Sequence, residues 1–163
     1  MKLLLENAYI IDPDNDDVKL GCLSIKDGKI SGVSFEKNNF NLKEYDKIIN
    51  CDEKYLAPGI VDVGVKICEP GERHKESFRT ASLAAARGGV TTMITRPDTI
   101  PAIDTPEKLE FVKNRADKVS SVNIYTMAAL TRERLGLEMT EFGFLQDAGA
   151  VGFTDCDQVI SNN

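Results

Sequence analysis

The chain has 163 residues, 42% of them hydrophobic, and a formal charge of −6 at pH 7, which suits one globular domain able to bury roughly 68–70% of its unfolded surface. Its 20 Lys and Arg are interspersed with 26 Asp and Glu, which argues against a nucleic-acid partner, because phosphate binding calls for clustered cations. The longest apolar runs, LLL at 3–5 and LAAA at 83–86, fall far short of the roughly 20 residues of a membrane span, and Glu6 and Asp12 interrupt any secretory core near the start; a cytoplasmic protein without membrane contact is expected.

Residues 1–57 read as a β-module. The strand KLLLENAYII is followed by a Pro and Asp turn at 12–16, then by GCLSIKDGKISGVSF, in which Asp27-Gly28 between alternating segments signals a hairpin. Residues 36–47 are polar and read as a loop ahead of a short strand, IINC. From 58 to 163 the pattern changes to alternating strand and helix. GIVDVGVKI is a β-branched run suited to a strand buried on both faces. A helix over about 75–87 ends at Gly88-Gly89, with Glu72 and Glu76 placed to suit its N-terminal dipole. The strand VTTMITRP follows, then a helix capped by Asp104 or Thr105, with Pro106 in its first turn, running to about Val119. VNIYTMAAL, a helix near 138–148 and AVGFTD complete about four βα units. Such repeats predict a parallel sheet with right-handed crossovers, and four strands are half of an eight-stranded barrel, whose open edges call for self-association or a covering partner.

Cysteines 22, 51, 68 and 156 form no CxxC pair, so reduced thiols are expected rather than a disulfide framework or zinc knuckle. The chain has one histidine, His74, placed at a helix start, and one histidine cannot build a His-rich metal centre.

Three segments, LAPGIVDVGVKICEPGERHKE, AAARGGVTTMITRPDTIPAIDTPEKLE and LQDAGAVGFTD, occur in the order and spacing of a known family, and the chain resembles the type I dihydroorotases of the cyclic amidohydrolase group. The resemblance implies an N-terminal β-module followed by the first half of a TIM-type (β/α)8 metal-dependent hydrolase barrel, in a family that uses zinc to interconvert carbamoyl-aspartate and dihydroorotate. Allantoinase and hydantoinase share the signatures of the first two strands.

The resemblance also locates the active-site positions, and there this chain departs from the pattern. The family motif resembles DVHVHLREPG, in which alternate strand residues aim two imidazoles at one metal. Here those positions hold Gly64, which offers no ligand, and Lys66, a cation that repels a dication. Cys68 replaces the arginine that grips a substrate carboxylate, and a thiol cannot make that bidentate contact. Asp98 stands where MPNT has the asparagine, setting a carboxylate against an anionic substrate, and FTDCD keeps Asp155 beside Cys156 in place of FTDDG.

These departures predict a non-catalytic dihydroorotase-like protein of pyrimidine biosynthesis, with no catalytic residue intact and no bound cofactor, acting as scaffold or partner of aspartate transcarbamoylase. Lys66 is expected to pair with Asp155 in place of the metal. Two alternatives stand beside this reading. One is an active zinc-dependent cyclic amidohydrolase with a partner-completed or atypical site, for which Cys68, Asp155 and Cys156 are the candidate ligands. The other is a truncated remnant without function.

Overall fold

The computed structural model describes residues 1–15, 17–36 and 40–160. Asp16 of the expected first turn, residues 37–39 of the expected loop and the last three residues lie outside the described part. The chain divides into two compact units, Met1–Pro58 and Gly59–Asn163.

The first unit is a five-stranded sheet in which β1 (Lys2–Asp12) runs antiparallel to β2 (Asp17–Lys26), and β2 antiparallel to β3 (Lys29–Ser34). β4 (Lys47–Asn50) and β5 (Tyr55–Leu56) both add parallel to β1. The expected hairpin is present: Lys26 pairs with Lys29 across Asp27-Gly28, whose φ angles of 51° and 78° are those of a two-residue type I′ turn, matched to strand twist. Ala8, Ile10 and Leu23 form its small core, with Leu5, Ile25, Cys51 and Leu56 packed around them.

The second unit carries the parallel sheet β6 (Ile60–Val65), β7 (Val90–Thr95) and β8 (Asn123–Thr126), in that spatial order. Three helices, α1 (Phe78–Arg87), α2 (Pro106–Val119) and α3 (Phe142–Asp147), alternate with the strands. Register assigns the two faces of the sheet. Asp62, Met93 and Ile124 lie in one row; Met93 is buried in the core and Ile124 packs against it, together with Phe78 and Ala81 of α1, Leu109, Val112 and Ala116 of α2, and Leu145 of α3. The opposite face presents the row Val63, Ile94 and Tyr125, with Val63 66% and Tyr125 51% exposed. In a closed barrel such a row fills the interior.

The local boundaries differ from expectation in three places. α1 begins at Phe78 rather than near residue 75, because Ser77 and Thr80 form a reciprocal capping box. α3 is six residues long, because the segment before it turns back to pair with the loop after β8: Thr131 bridges Met139, and Thr140 N–H donates to the Leu130 carbonyl at 3.0 Å. The fourth strand is reduced to a single parallel bridge between Ala128 and Phe153, supported by Ala128 N–H to Gly152 at 2.9 Å and Thr154 N–H to Ala128 at 3.0 Å. Among the described residues no helix is long and apolar enough to cross a membrane.

One buried carboxylate ties the helices to the loop that follows β6. Glu69 accepts from Phe78 N–H in the first turn of α1 at 3.0 Å and from Arg115 Nε of α2 at 2.8 Å, with Arg73 Nε at 3.5 Å. Thus Glu69, rather than Glu72 or Glu76, serves the positive end of α1 directly. Glu69→Ala leaves the Phe78 amide and part of the Arg115 guanidinium unpaired and is expected to cost about 2–3 kcal/mol in urea unfolding. Glu69→Gln, which keeps an acceptor, is expected to lose less.

Candidate functional site

The C-terminal ends of the parallel strands carry the residues that the motifs singled out. Gly64 lies at a β-bulge, where Val63 pairs with Ile94 but Val65 pairs with the next residue, Thr95. Its φ of +88° is the left-handed conformation that such bulges use and glycine adopts freely. A Cβ built at this position meets nothing within 4 Å. The obstacle to a side chain here is therefore backbone conformation rather than space.

Lys66 follows the bulge, and its ammonium lies 3.1 Å from Asp98 Oδ2. The same oxygen accepts from Arg96 Nη2 at 2.9 Å. The Asp98 side chain is only 3% exposed, so its charge is tolerable because two cations flank it. The expected pairing of Lys66 with Asp155 is thereby corrected. Asp155 Oδ1 accepts from the amides of Leu130 at 2.9 Å and Thr131 at 3.0 Å, and its Oδ2 accepts from the Thr131 hydroxyl. Those donors lie in the segment after β8, so Asp155 fastens the 155–157 turn to that segment. Lys66 and Arg96 also stand against the charge that Asp98 brings to this position.

Among the described residues, no group of three or more His, Cys, Asp and Glu side chains is placed to hold a metal. All four cysteines are free. Cys68, Asp155 and Cys156 do not come together as a ligand set, and Asp155 is committed to backbone amides. His74 sits in the turn ahead of α1 and is exposed. The residues present therefore do not fit the zinc that the resemblance implies: one position has no donor, the next is a paired cation, and the remaining carboxylate is already hydrogen-bonded.

Two further residues escaped the sequence reading. Arg134, in a 3-10 turn at Arg132–Arg134, donates through Nε and Nη2 to the Asp155 carbonyl at 3.3 and 3.2 Å, and through Nη2 to Asp157 Oδ1 at 2.7 Å. Arg96 lies 3.8 Å from the same Asp157 oxygen. Two buried atoms of this cluster, Arg96 Nε and Asp98 Oδ1, have no hydrogen-bond partner among the described residues. Beyond the general excess of charge after each strand, no local pattern marked these contacts.

Asp104, considered above as a helix cap, instead joins α2 to the 3-10 turn, accepting from Lys108 Nζ at 2.6 Å and Glu133 N–H at 2.9 Å. Burial pushes its carboxyl up, but Lys108 and the Glu133 amide outweigh burial and hold it below the ordinary 3.8. A depressed carboxyl stabilises the fold in full above its unfolded range, and that contribution is lost as pH falls through the folded value. The urea midpoint of the wild type is therefore expected to fall between pH 5 and pH 3, with a shallower fall in Asp104→Asn. Asp155→Ala, which strips acceptors from buried amides, is expected to cost about 1–3 kcal/mol in the same measurement at pH 7.

Comparison with known proteins agrees with the fold. The sequence profile described as dihydro-orotase-like matches residues 53–162. A dihydroorotase of Wolbachia sp. subsp. Drosophila simulans (strain wRi) is 41% identical over 99% of this chain but only 36% of that protein. A dihydroorotase of Bacillus licheniformis is 36% identical over 95% of this chain and 35% of its own length. The chain thus spans about a third of the curated relatives it matches. The L-hydantoinase of Arthrobacter aurescens superposes with a TM-score of 0.80 at 26% identity, over 93% of this chain and 32% of that one. A solved dihydroorotase, at 16% identity and a TM-score of 0.59 over 93% of this chain and 41% of that one, shares the fold. With the β-module, the parallel half-barrel and a profile match across most of its length, the chain belongs to the dihydro-orotase-like family.

Proposed function

We propose that this chain is a non-catalytic member of its family, serving pyrimidine biosynthesis as a scaffold or assembly partner rather than as a hydrolase. The observation that carries this reading is the Lys66 ammonium, held 3.1 Å from Asp98 at a position where the resemblance implies a metal ligand. A cation fixed there opposes binding of a dication, and no neighbouring set of donors compensates among the described residues. Aspartate transcarbamoylase is the partner proposed. The row of Val63, Ile94 and Tyr125, with Val63 and Tyr125 exposed, supports association as well, since an apolar face of this kind gains by being buried.

The test uses one purified, folded sample. Expected are substoichiometric zinc by elemental analysis, no hydrolysis of dihydroorotate, a light-scattering mass above that of one chain, and retention of aspartate transcarbamoylase in a copurification. Stoichiometric zinc together with turnover of dihydroorotate would overturn the reading in favour of an active cyclic amidohydrolase. A sharp monomer that leaves the transcarbamoylase free would remove the scaffold role.

A further inference from the structure

Three cations converge at the C-terminal edge of the parallel sheet, one after each strand: Lys66 after β6, Arg96 after β7 and Arg134 in the 3-10 turn that follows β8. They face two carboxylates. Asp98 takes Lys66 and Arg96 at 3.1 and 2.9 Å. Asp157 takes Arg134 at 2.7 Å and stands 3.8 Å from Arg96. The third carboxylate nearby, Asp155, is turned onto the amides of Leu130 and Thr131.

The two acceptors differ in kind. Asp98 is 3% exposed and belongs to the packed structure, whereas the Asp157 side chain is 72% exposed and can swing into solvent at little cost. Its carboxyl is held below the ordinary range first by its own backbone amide, and then by Arg134, Arg96 and Lys66, so all three cations act on one point. The cations are also prepared for an anion. Arg134 is oriented by the Asp155 carbonyl through two of its nitrogens, and among the described residues Arg96 keeps a buried Nε with no acceptor and Lys66, 56% exposed, has one ion-pair partner. Open parallel sheets bind ligands at this edge, and a guanidinium fork matches a carboxylate or phosphate.

We propose that Lys66, Arg96 and Arg134 form a binding site for a small oxyanion, a carboxylate or a phosphate, and that Asp157 fills this site from within until the anion displaces it. The proposal rests on the non-catalytic reading, because a metal at the end of β6 would exclude the Lys66 ammonium. It gives the altered site a ligand of its own rather than a vacancy left by lost chemistry.

Titration calorimetry of the full chain with inorganic phosphate and, separately, with malonate tests the site, with sodium chloride at matched ionic strength as control. Saturable binding of at least one anion is expected, and which of them binds identifies phosphate or carboxylate as the source. Asp157→Asn removes the internal competitor without touching the core and is expected to bind about two- to fivefold more tightly, the scale of an exposed ion pair. Lys66→Met and Arg134→Gln are expected to abolish or weaken binding while the circular dichroism spectrum stays that of the wild type. If neither anion binds wild type or Asp157→Asn, or if chloride reproduces the effect, the site does not exist. Equal affinity in wild type and Asp157→Asn overturns the displacement. Zinc content measured on the same sample separates the two readings, since stoichiometric zinc refutes the non-catalytic reading, whereas zinc-free protein that ignores both anions refutes only the anion site.

Discussion

A carboxylate buried to 97% can remain charged only if cations stand against it, and Asp98 is such a carboxylate. Lys66 and Arg96 meet this demand from the ends of two neighbouring strands. Their convergence closes the C-terminal edge of the sheet electrostatically. A paired ammonium at the end of β6 also opposes the approach of a divalent cation to that position. The neighbouring contacts follow the same logic: Asp155 answers buried amides, Glu69 answers Phe78 and Arg115, and Asp104 answers Lys108 and Glu133. Acidic residues at the ends of these strands act as fasteners for loops rather than as ligands.

The elements that announce themselves in the sequence are those set by chemistry within a few residues. Asp27-Gly28 forms its hairpin turn because adjacent positive φ angles are needed there. α2 starts with Pro106 after Thr105, as the spacing of proline and apolar residues indicates, and it buries Leu109, Val112 and Ala116 on one face. The alternation of strand and helix after residue 58 is visible for the same reason, and it is the basis of the half-barrel.

What the sequence did not reveal depends on contacts between distant residues. Asp155 finds its donors 24 and 25 residues away, and Glu69 finds Arg115 at 46. No spacing rule joins such pairs, so the sequence alone does not reveal that Lys66 pairs with Asp98 or that Glu69 accepts from the first amide of α1. The third helix is shorter than its sequence indicates because residues 138–140 pair back onto the loop after β8. Gly64 and Lys66 stand out in the sequence as departures from the pattern it resembles, whereas the cluster of Lys66, Arg96 and Arg134 is visible only in the fold.

The bulge at Gly64 has a bearing on which side chains the end of β6 can carry. A residue with a side chain at this position would have to hold the left-handed backbone, at roughly 1–2 kcal/mol, or straighten the strand and shift its register against β7. A single substitution that introduced a donor there would therefore arrive with a folding penalty, two residues before a lysine that is already engaged. The bulge thus makes a donor at this position costly to introduce, and two residues on the Lys66–Asp98 pair would have to be broken as well.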